Sequence, residues 1–424
     1  MKKFLINTKN INRTAVIWNM IAYTSNSFQS AILLLVISRE KRYVDSAIFS
    51  IAYTVGVMLL YIGKYAVRNY QVTDIDNEFT YGEYYRTRMI TVLLMLISMV
   101  MYLVYGFLFK QYSIYKIASC VLIISARVID AIEDVFHGDL QKNGRLDISS
   151  KIWGIRNITY ICCFTISYVI SINLLVAASI SFLISFVLFV LLNSCISHLF
   201  EKNDRSDNKK IIILIKRCWP LALSAVLSVY IANSPKYSVD AFLSSEEQTR
   251  FNIIFMPVFV ISLFGNYIYN PLITKMAQLW KSYNLRELKI IFIKQISAVL
   301  FFTIAVIIGG EMFGIHLLEI MYNIPLMNYK NEFAFLMISG GGLAIFNFLI
   351  IVMTIIRKPN IIQYVSVFGT LFLMVGNKFI LSAKGVLGLC VYFAIIIISI
   401  VICLFLYLYR YVKNVINTEE KNEQ

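Results

Sequence analysis

The sequence predicts an all-α membrane protein of about twelve transmembrane helices, arranged as two six-helix halves. Composition and long apolar runs are the two observations behind this prediction. Of the 424 residues, 59% are hydrophobic and 15% are charged, and the mean hydropathy is +0.71. An ordinary soluble domain is about 45–50% apolar and about 25% charged. This composition excludes a soluble enzyme, a disordered chain and a protein that binds nucleic acid on a soluble basic face.

The apolar runs give the number of helices, because a spanning helix needs roughly 20 apolar residues. The longest run, 157–200, would extend about 66 Å as one helix, so we predict two spans with a turn near 171–173. A further span, about 115–136, is interrupted by charges. Backbone polar groups must be satisfied inside lipid, so the spans are helices. The runs without Asp, Glu, Lys or Arg are 14–38, 46–63, 89–109, 157–200, 218–235, 251–274, 295–310, 333–356, 359–377 and 385–409.

The distribution of Lys and Arg predicts the orientation. With the N-terminus inside, 27 of the 39 basic residues fall in inner segments and 10 in outer ones. Inner loops carry an excess of positive charge in membrane proteins. We therefore expect both termini on the cytoplasmic side, with the first apolar run retained as a helix. Most of the net charge of +15 then belongs to the inner face.

A polar stretch at the middle of the chain divides the sequence. Glu201 to Lys210 reads EKNDRSDNKK, which predicts a six-helix lobe at 1–200, a cytoplasmic linker at 201–217 and a second six-helix lobe at 218–424. An offset of about 202 residues aligns Phe49-Ser50-Ile51 with Phe251-Asn252-Ile253. Two six-helix repeats in parallel orientation favour a transporter that works by rocking of its halves.

No motif for catalysis is evident in the sequence. His137, His198 and His316 are scattered, and none pairs with a carboxylate at a catalytic spacing. The sequence also has no glycine-rich phosphate loop and no cluster with metal-ligand spacing. We therefore expect no enzyme, no catalytic residue, no metal and no cofactor.

Charges inside spans are the informative residues, because they normally face a cavity or a partner. The fourth span carries Arg127, Asp130, Glu133 and Asp134. Helical spacing places Arg127 beside Asp130, which leaves a carboxylate for another helix or for titration. A plain cluster at the inner rim is the alternative. Glu311 in the ninth span is a lone acid, either a proton site or a helix-end residue.

Four further residues carry positive charge in or near spans. Lys64 and Arg68 are four residues apart and form a positive stripe that is favourable only when it faces an anion. The alternative is that they belong to the ordinary excess of basic residues at the cytoplasmic face. Lys236 follows Pro235 and is four residues from Asp240, which predicts an internal ion pair or a lysine that snorkels at an outer helix end. Lys378 lies in the eleventh span.

Three segments carry a resemblance to a known family. RNYQVTD (68–74), DAIEDVFHGDLQKNGRLDI (130–148) and NSPKYSVDAFLSSEEQTRFNIIFMP (233–257) follow spans two, four and seven. In this they resemble bacterial polysaccharide flippases of the Wzx type, in the multidrug/oligosaccharidyl-lipid/polysaccharide (MOP) exporter superfamily. The resemblance implies two pseudo-symmetric six-helix lobes around a central cavity in the bacterial cytoplasmic membrane. It also implies alternating access for an undecaprenyl-pyrophosphate-linked oligosaccharide, in the synthesis of O-antigen, capsule or exopolysaccharide.

These observations assign expected roles to twelve residues. A cationic lumen for the pyrophosphate would be formed by Lys64, Arg68, Arg127, Lys236 and Lys378. The candidates for contact with the sugars are Tyr70, Tyr230 and Asn233. The candidates for ion coupling are Asp130, Glu133, Asp240 and Glu311, with the membrane potential as an alternative driving force. The expected partners are the lipid-linked oligosaccharide, membrane lipid and other polysaccharide assembly proteins, and no nucleic acid.

Two other functions remain open at the level of sequence. A cation-coupled multidrug exporter of the MATE type would use the same fold, with acidic residues in its lumen for cationic drugs. A membrane-embedded polysaccharide polymerase would be expected to have a large outer loop with functional arginines. The candidate lumen residues are mainly basic, and the predicted outer loops are short, so a lipid-linked oligosaccharide flippase is the leading prediction.

Overall fold

The computed structural model describes residues 2–74, 77–196, 207–269, 272–356, 358 and 360–422, and helices are the only regular secondary structure in these ranges. A π-helical turn (Gly310–Gly314) joins α12 to α13, and a short 3-10 helix (Met327–Tyr329) precedes α14. The helices are α1 (Lys2–Ile6), α2 (Ile11–Arg39), α3 (Tyr43–Lys64), α4 (Val67–Thr73), α5 (Tyr81–Lys110), α6 (Ile114–Lys142), α7 (Leu146–Ser171), α8 (Leu174–Ile196), α9 (Asn208–Phe242), α10 (Ser245–Tyr269), α11 (Ile273–Lys281), α12 (Leu285–Gly309), α13 (Ile315–Tyr322), α14 (Lys330–Ile355) and α15 (Asn360–Asn422).

The long helices account for the predicted number of spans. Within the described ranges, nine helical segments are long and apolar enough to cross a membrane. Helices α6 and α7 carry more charge, but their 29 and 26 residues extend about 44 and 39 Å, which exceeds a hydrocarbon core of about 30 Å. Helix α15 is interrupted at Gly385, with φ of 65°, and so provides two spans. The prediction of a multi-pass protein with about twelve spans is confirmed.

The predicted division of the run 157–200 is also confirmed. Helix α7 ends at Ser171 and α8 begins at Leu174. Ile172 between them has a left-handed backbone with φ of 48°. The Asn173 side chain then accepts hydrogen bonds from the backbone N–H groups of Leu175 and Val176, as expected of a residue that begins a helix.

The first compact unit comprises Met1–Val229. Helix α2 packs against α7, and α7 packs against α8. Helix α6 is at the centre of the unit, because α3, α5 and α8 all pack against it. The short helix α4 also lies against α6. The most highly charged span of the chain is therefore surrounded by other helices of its own unit.

The second compact unit comprises Tyr230–Gln424. Its internal packing follows the same order as that of the first unit, because α10, α12 and α14 pack together as α3, α5 and α6 do. The helix bounds agree with the offset of 202 residues, since α3 begins at Tyr43 and α10 begins at Ser245. Both observations support the internal repeat inferred from the sequence.

The domain boundaries drawn from the sequence stay a prediction. The two units divide between Val229 and Tyr230, within α9. Residues 201–206 of the predicted linker, and His198 before them, lie outside the described residues. Residues 208–217, also assigned to the linker, form the first turns of α9.

Candidate functional site

A break between α3 and α4 positions the two basic residues of the predicted stripe. Tyr65 and Ala66 both have left-handed backbones, with φ of 46° and 54°. Such a conformation costs roughly 1–2 kcal/mol per residue when a side chain is present. Lys64 therefore ends one helix and Arg68 lies in the next, so the two residues do not form the stripe through the helical spacing of four residues that the sequence suggested.

Packing holds this strained elbow in place. The Tyr65 side chain is buried in an apolar cluster with Val67, Phe79, Tyr84 and others. Its ring also lies 6.3 Å from the ring of Trp219 on α9. The backbone N–H of Tyr65 donates to the carbonyl oxygen of Tyr61 at 3.0 Å. Burial of this ring offsets the backbone strain.

Asp74 fixes the other end of α4. Its carboxylate accepts hydrogen bonds from the backbone N–H groups of Glu78 (2.9 Å) and Phe79 (3.1 Å) and from the Tyr84 hydroxyl (2.9 Å). The Lys142 ammonium lies 3.7 Å away. Burial raises the pKa of Asp74, but these hydrogen bonds and the lysine outweigh that effect, so the pKa lies below its ordinary value of 3.8.

A cavity of about 240 Å³ lies within the first unit. It is bordered by residues of α2, α3, α4, α6 and α7. Three of the predicted lumen cations and two of the predicted coupling carboxylates line it. The lining residues are Tyr23, Asn26, Tyr53, Val57, Leu60, Tyr61, Lys64, Arg68, Arg127, Asp130, Glu133, Asp134, His137 and Trp153.

Arg127 forms the ion pair that its spacing predicts. Its Nη1 donates to Asp130 Oδ2 at 2.8 Å, which confirms that prediction. Its Nη2 donates to Gln29 Oε1 of α2 at 2.5 Å. The guanidinium also lies over the Tyr53 ring, 4.7 Å from its centroid. Arg127 is thus committed to protein partners on three helices.

Arg156 of α7 joins two carboxylates of α6. Its Nε donates to Glu133 Oε2 at 3.0 Å, and its Nη2 contacts both Glu133 and Asp130. Glu133 also accepts a hydrogen bond from Asn193 Nδ2 of α8 at 3.1 Å. The arginine therefore compensates two negative charges that would otherwise be costly to bury.

Asp134 is shared by three cations. Arg88 Nη2 of α5 donates to Oδ2 at 2.7 Å. Lys64 Nζ and Arg68 Nη1 both approach the other oxygen, Oδ1, at 3.7 and 3.4 Å. The sequence predicted that Lys64 and Arg68 face an anion, because two like charges are unfavourable together. In the structure that anion is the carboxylate of Asp134.

The cluster as a whole carries net positive charge. It contains five cations (Lys64, Arg68, Arg88, Arg127 and Arg156) and three carboxylates (Asp130, Glu133 and Asp134), which leaves +2 when His137 is neutral. The side chains of Lys64 and Arg68 are 33% and 24% exposed, against at most 5% for the three other arginines. An anion entering the cavity can therefore reach Lys64 and Arg68 most easily. Over the described ranges, no group of three or more His, Cys, Asp or Glu could hold a metal ion.

Arg88 and Arg156 were missed by sequence reasoning, which counted both as inner-loop charges. For Arg88 a signal was available. Thr80 and Glu83 form a reciprocal capping box, a pattern that marks a helix start and places Arg88 about two turns inside α5. For Arg156, Gly144 with φ of 72° precedes α7, and the arginine lies nearly three turns beyond its first residue.

Lys236 lies in the second unit and is buried without the ion pair predicted for it. Its Nζ lies 5.0 and 4.9 Å from the ring centroids of Phe255 and Phe259 on α10. In the described part of the chain, no carboxylate lies within 4.0 Å of this ammonium. Asp240 instead accepts a hydrogen bond from Gln248 Nε2 at 3.2 Å. The predicted Lys236–Asp240 pair is wrong because the lysine packs against aromatic rings.

The other predicted residues of the second unit are dispersed. Lys378 is exposed, 5.9 Å from the ring centroid of Phe242. Tyr230 stacks on Tyr237 with a centroid distance of 5.3 Å. Asn233 is buried in α9, and Glu311 is exposed in the π-helical turn. None of these residues lines the cavity of the first unit, and their predicted roles stay predictions.

Tyr70 belongs to the first unit but not to its cavity. Its ring packs edge-on against Phe79 at 6.2 Å. Its hydroxyl accepts a hydrogen bond from Arg217 Nη1 of α9 at 3.4 Å. These contacts place Tyr70 in the apolar cluster below the elbow, and its predicted contact with sugars stays a prediction.

Comparison with known proteins identifies the fold. No protein-family model and no curated sequence matches the chain. The inward-facing conformation of a multidrug resistance MATE family transporter of the MOP superfamily matches with a TM-score of 0.70 and 14% identity, over 94% of this chain and 99% of that chain. The outward-facing conformation of such a transporter matches with a TM-score of 0.60 and 15% identity, over 98% and 99%.

A third similar structure is that of a MOP superfamily transporter from Pyrococcus furiosus, which is described as having a binding pocket of reverse polarity that suggests a different function. It matches with a TM-score of 0.59 and 15% identity, over 97% of this chain and 98% of that chain. Identities this low show the fold alone. The chain therefore has the fold of MOP superfamily transporters, which confirms the predicted fold class. The narrower resemblance to Wzx-type flippases stays a prediction.

Proposed function

We propose that this protein is a flippase that moves an undecaprenyl-pyrophosphate-linked oligosaccharide across the bacterial cytoplasmic membrane for surface polysaccharide synthesis. The observation that carries this proposal is the net positive cluster beside the cavity of the first unit, whose two accessible cations, Lys64 and Arg68, line that cavity. Charged groups inside spanning helices are costly and usually serve a transported substrate or a partner. A surplus of cations in the cluster beside this cavity favours an anionic substrate over a cationic one.

The chemistry of the accessible cations suits a phosphate group. Lys64 and Arg68 present ammonium and guanidinium donors with 33% and 24% exposed side chains. Hydrogen bonds from ionised donors to phosphate oxygens are about twice as strong as neutral ones. Arg68 and Lys64 would therefore bind the pyrophosphate first. Arg127, Lys236 and Lys378 are proposed as further members of the cationic lumen.

Alternating access is proposed as the mechanism because the fold is found in both required conformations. The similar structures include one described as inward-facing and one described as outward-facing. The pyrophosphate would bind from the cytoplasmic leaflet and leave toward the outer leaflet. Tyr70, Tyr230 and Asn233 are proposed to contact the sugars, and Asp130, Glu133, Asp240 and Glu311 remain candidates for ion coupling.

A cation-coupled multidrug exporter is the second candidate, since two similar structures are described as multidrug resistance transporters. An exporter of cations needs a carboxylate that a cation can approach. Asp130, Glu133 and Asp134 each already have an arginine within 3.0 Å. The neighbour with a pocket of reverse polarity supports the view that this fold also serves substrates of other charge.

The test is transport by the full-length protein in liposomes. The probe is undecaprenyl pyrophosphate that carries a fluorescent oligosaccharide, and dithionite added outside measures the fraction that reaches the outer leaflet. We expect the wild type to move the probe well above the rate of protein-free liposomes. Lys64→Gln/Arg68→Gln should fall to that background, whereas Arg286→Gln, at an exposed position of α12, should not.

Two results would overturn the proposal. One is a wild-type rate equal to that of protein-free liposomes. The other is uptake of ethidium under a proton or sodium gradient without movement of the lipid-linked probe, which would establish the exporter instead. Both assays use the same liposome preparation, so a loss of folded protein affects them equally.

A further inference from the structure

The two oxygens of Asp134 have different partners. Oδ2 accepts the 2.7 Å hydrogen bond from Arg88 Nη2, and the other terminal nitrogen of Arg88 donates to the carbonyl oxygen of Gly63 at 2.7 Å. Oδ1 lies 3.4 Å from Arg68 and 3.7 Å from Lys64. Charge-assisted hydrogen bonds of full strength are about 2.7–2.9 Å long. Asp134 thus holds one cation tightly in the interior and two cations loosely at the cavity.

We propose that Asp134 is an internal competitor for the anionic group of the substrate, and that an incoming pyrophosphate takes Lys64 and Arg68 from its Oδ1. The inference rests on the proposed function. In the empty site the carboxylate lies between the two accessible cations, and Arg68 also donates a hydrogen bond from Nη2 to Gln141 Oε1 at 2.6 Å. When a phosphate oxygen replaces Oδ1 as their partner, Asp134 keeps its charge compensated through Arg88. No buried carboxylate is left unpaired by the exchange.

The other carboxylates of the cluster are not suited to this exchange. Asp130 and Glu133 hold Arg127 and Arg156, whose side chains are at most 5% exposed. Breaking a buried pair leaves an uncompensated charge and is strongly unfavourable. An entering anion therefore meets Asp134 as the one carboxylate, among the described cavity residues, whose cation partners it can reach.

The competition also makes Asp134 a specificity-determining residue. An anion must replace the carboxylate at two cations, and the Coulomb energy gained scales with the charge that it brings. A pyrophosphate diester carries two negative charges, whereas a phosphodiester headgroup of a bulk anionic lipid carries one. Asp134 would therefore keep abundant singly charged lipids out of the site and admit the doubly charged substrate.

The experiment measures binding to the purified full-length protein in detergent by titration calorimetry. The probes are geranyl pyrophosphate and short-chain dihexanoyl phosphatidylglycerol, and the variant is Asp134→Asn. Because the wild type must release two partly exposed ion pairs to bind the probe, the variant should bind geranyl pyrophosphate about 2- to 30-fold more tightly. Phosphatidylglycerol should also gain affinity, so that its binding becomes measurable with the variant although it is not with the wild type.

Two further variants keep the inference falsifiable. Arg88→Gln/Asp134→Asn removes the buried arginine that the single variant leaves unpaired, and it should also bind more tightly than wild type. Asp139→Asn, on the same helix but outside the cavity lining, should leave the affinity unchanged. Equal or weaker binding by both Asp134 variants would overturn the competitor role while the proposed function stands. Failure of the wild type to bind geranyl pyrophosphate would instead count against the proposed function.

Discussion

Loss of Arg156 should strongly destabilise the first unit. Its guanidinium reaches both Asp130 and Glu133 and also donates to Ser185 Oγ at 3.2 Å. Arg156→Gln removes that positive charge and leaves both carboxylates in place. Asp130 keeps Arg127 at 2.8 Å. Glu133 keeps the neutral amide of Asn193 at 3.1 Å and His137 at 3.8 Å.

The magnitude follows from this difference between the two carboxylates. An uncompensated buried charge costs about 3–5 kcal/mol, and here the cost falls mainly on Glu133. Glu133→Gln in the Arg156→Gln background removes the unpaired charge while nearly preserving the shape of the side chain. We therefore expect Arg156→Gln to lower the free energy of unfolding by about 3–5 kcal/mol, and the double variant to recover up to about 3 kcal/mol of it.

The assay is a double-mutant cycle. The wild type, both single variants and the double variant are unfolded reversibly in mixed micelles with increasing dodecyl sulfate, and helix content is followed by circular dichroism. Arg286→Gln, at an exposed position, serves as the control and should change stability by less than about 0.5 kcal/mol. Additivity of the two single effects within about 0.5 kcal/mol would refute the argument that Arg156 acts by compensating Glu133.

Three further predictions concern the elbow and its surroundings. A Cβ on Gly63 would lie 2.9 Å from the Cβ of Ala131. Gly63→Ala should therefore lower the free energy of unfolding by about 1–3 kcal/mol through overpacking. Unchanged stability would show that α3 and α6 do not pack this closely. Ala66→Gly relieves the left-handed strain and should raise thermal stability by about 1 kcal/mol, and a lower melting temperature would contradict that strain. The pKa of Asp74 in the folded protein lies below its ordinary value of 3.8. The ionised carboxylate therefore stabilises the fold above pH 3.8, and this stabilisation is lost as the pH falls through the pKa of Asp74 in the folded protein. Asp74→Asn should weaken the acid-induced loss of stability between pH 5 and pH 3, and an identical profile for both proteins would count against this role.

The sequence predicted contacts within a helix better than contacts between helices. The Arg127–Asp130 pair depends only on a spacing of three residues along α6, which the helical period determines. The Arg88–Asp134 and Arg156–Glu133 contacts join residues 46 and 23 positions apart on different helices. Their formation depends on how α5 and α7 pack against α6, and one sequence carries little information about that packing.

The Lys64–Arg68 stripe failed as a helical pattern for a different reason. Tyr65 and Ala66 have side chains that disfavour left-handed backbones, so local propensity predicts a continuous helix at this point. The elbow forms because tertiary packing of Tyr65 overrides that propensity. Glycine at either position would have signalled the break, and neither position has one.

A criterion of apolarity alone finds most of the spans but omits two that carry much of the cluster, although the sequence predicts both of them, at about 115–136 and within the run 157–200. Helices α6 and α7 are missing from the segments selected for apolarity, because they carry Arg127, the three carboxylates and Arg156. Counting basic residues by loop had a related weakness, since Arg88 and Arg156 lie inside helices and are buried. The charges that are hardest to place by these rules are the ones that form the cluster.

The charge of the cluster argues for a ligand. Structural ion pairs need only as many cations as carboxylates, and three arginines (Arg88, Arg127 and Arg156) already lie within 3.0 Å of the three carboxylates. Lys64 and Arg68 are surplus to that requirement, and they are the two cations most accessible from the cavity. Surplus charge inside a spanning unit is unfavourable until an anion joins it. A pyrophosphate diester carries two negative charges and would balance the net charge of +2, whereas a phosphodiester would balance half of it.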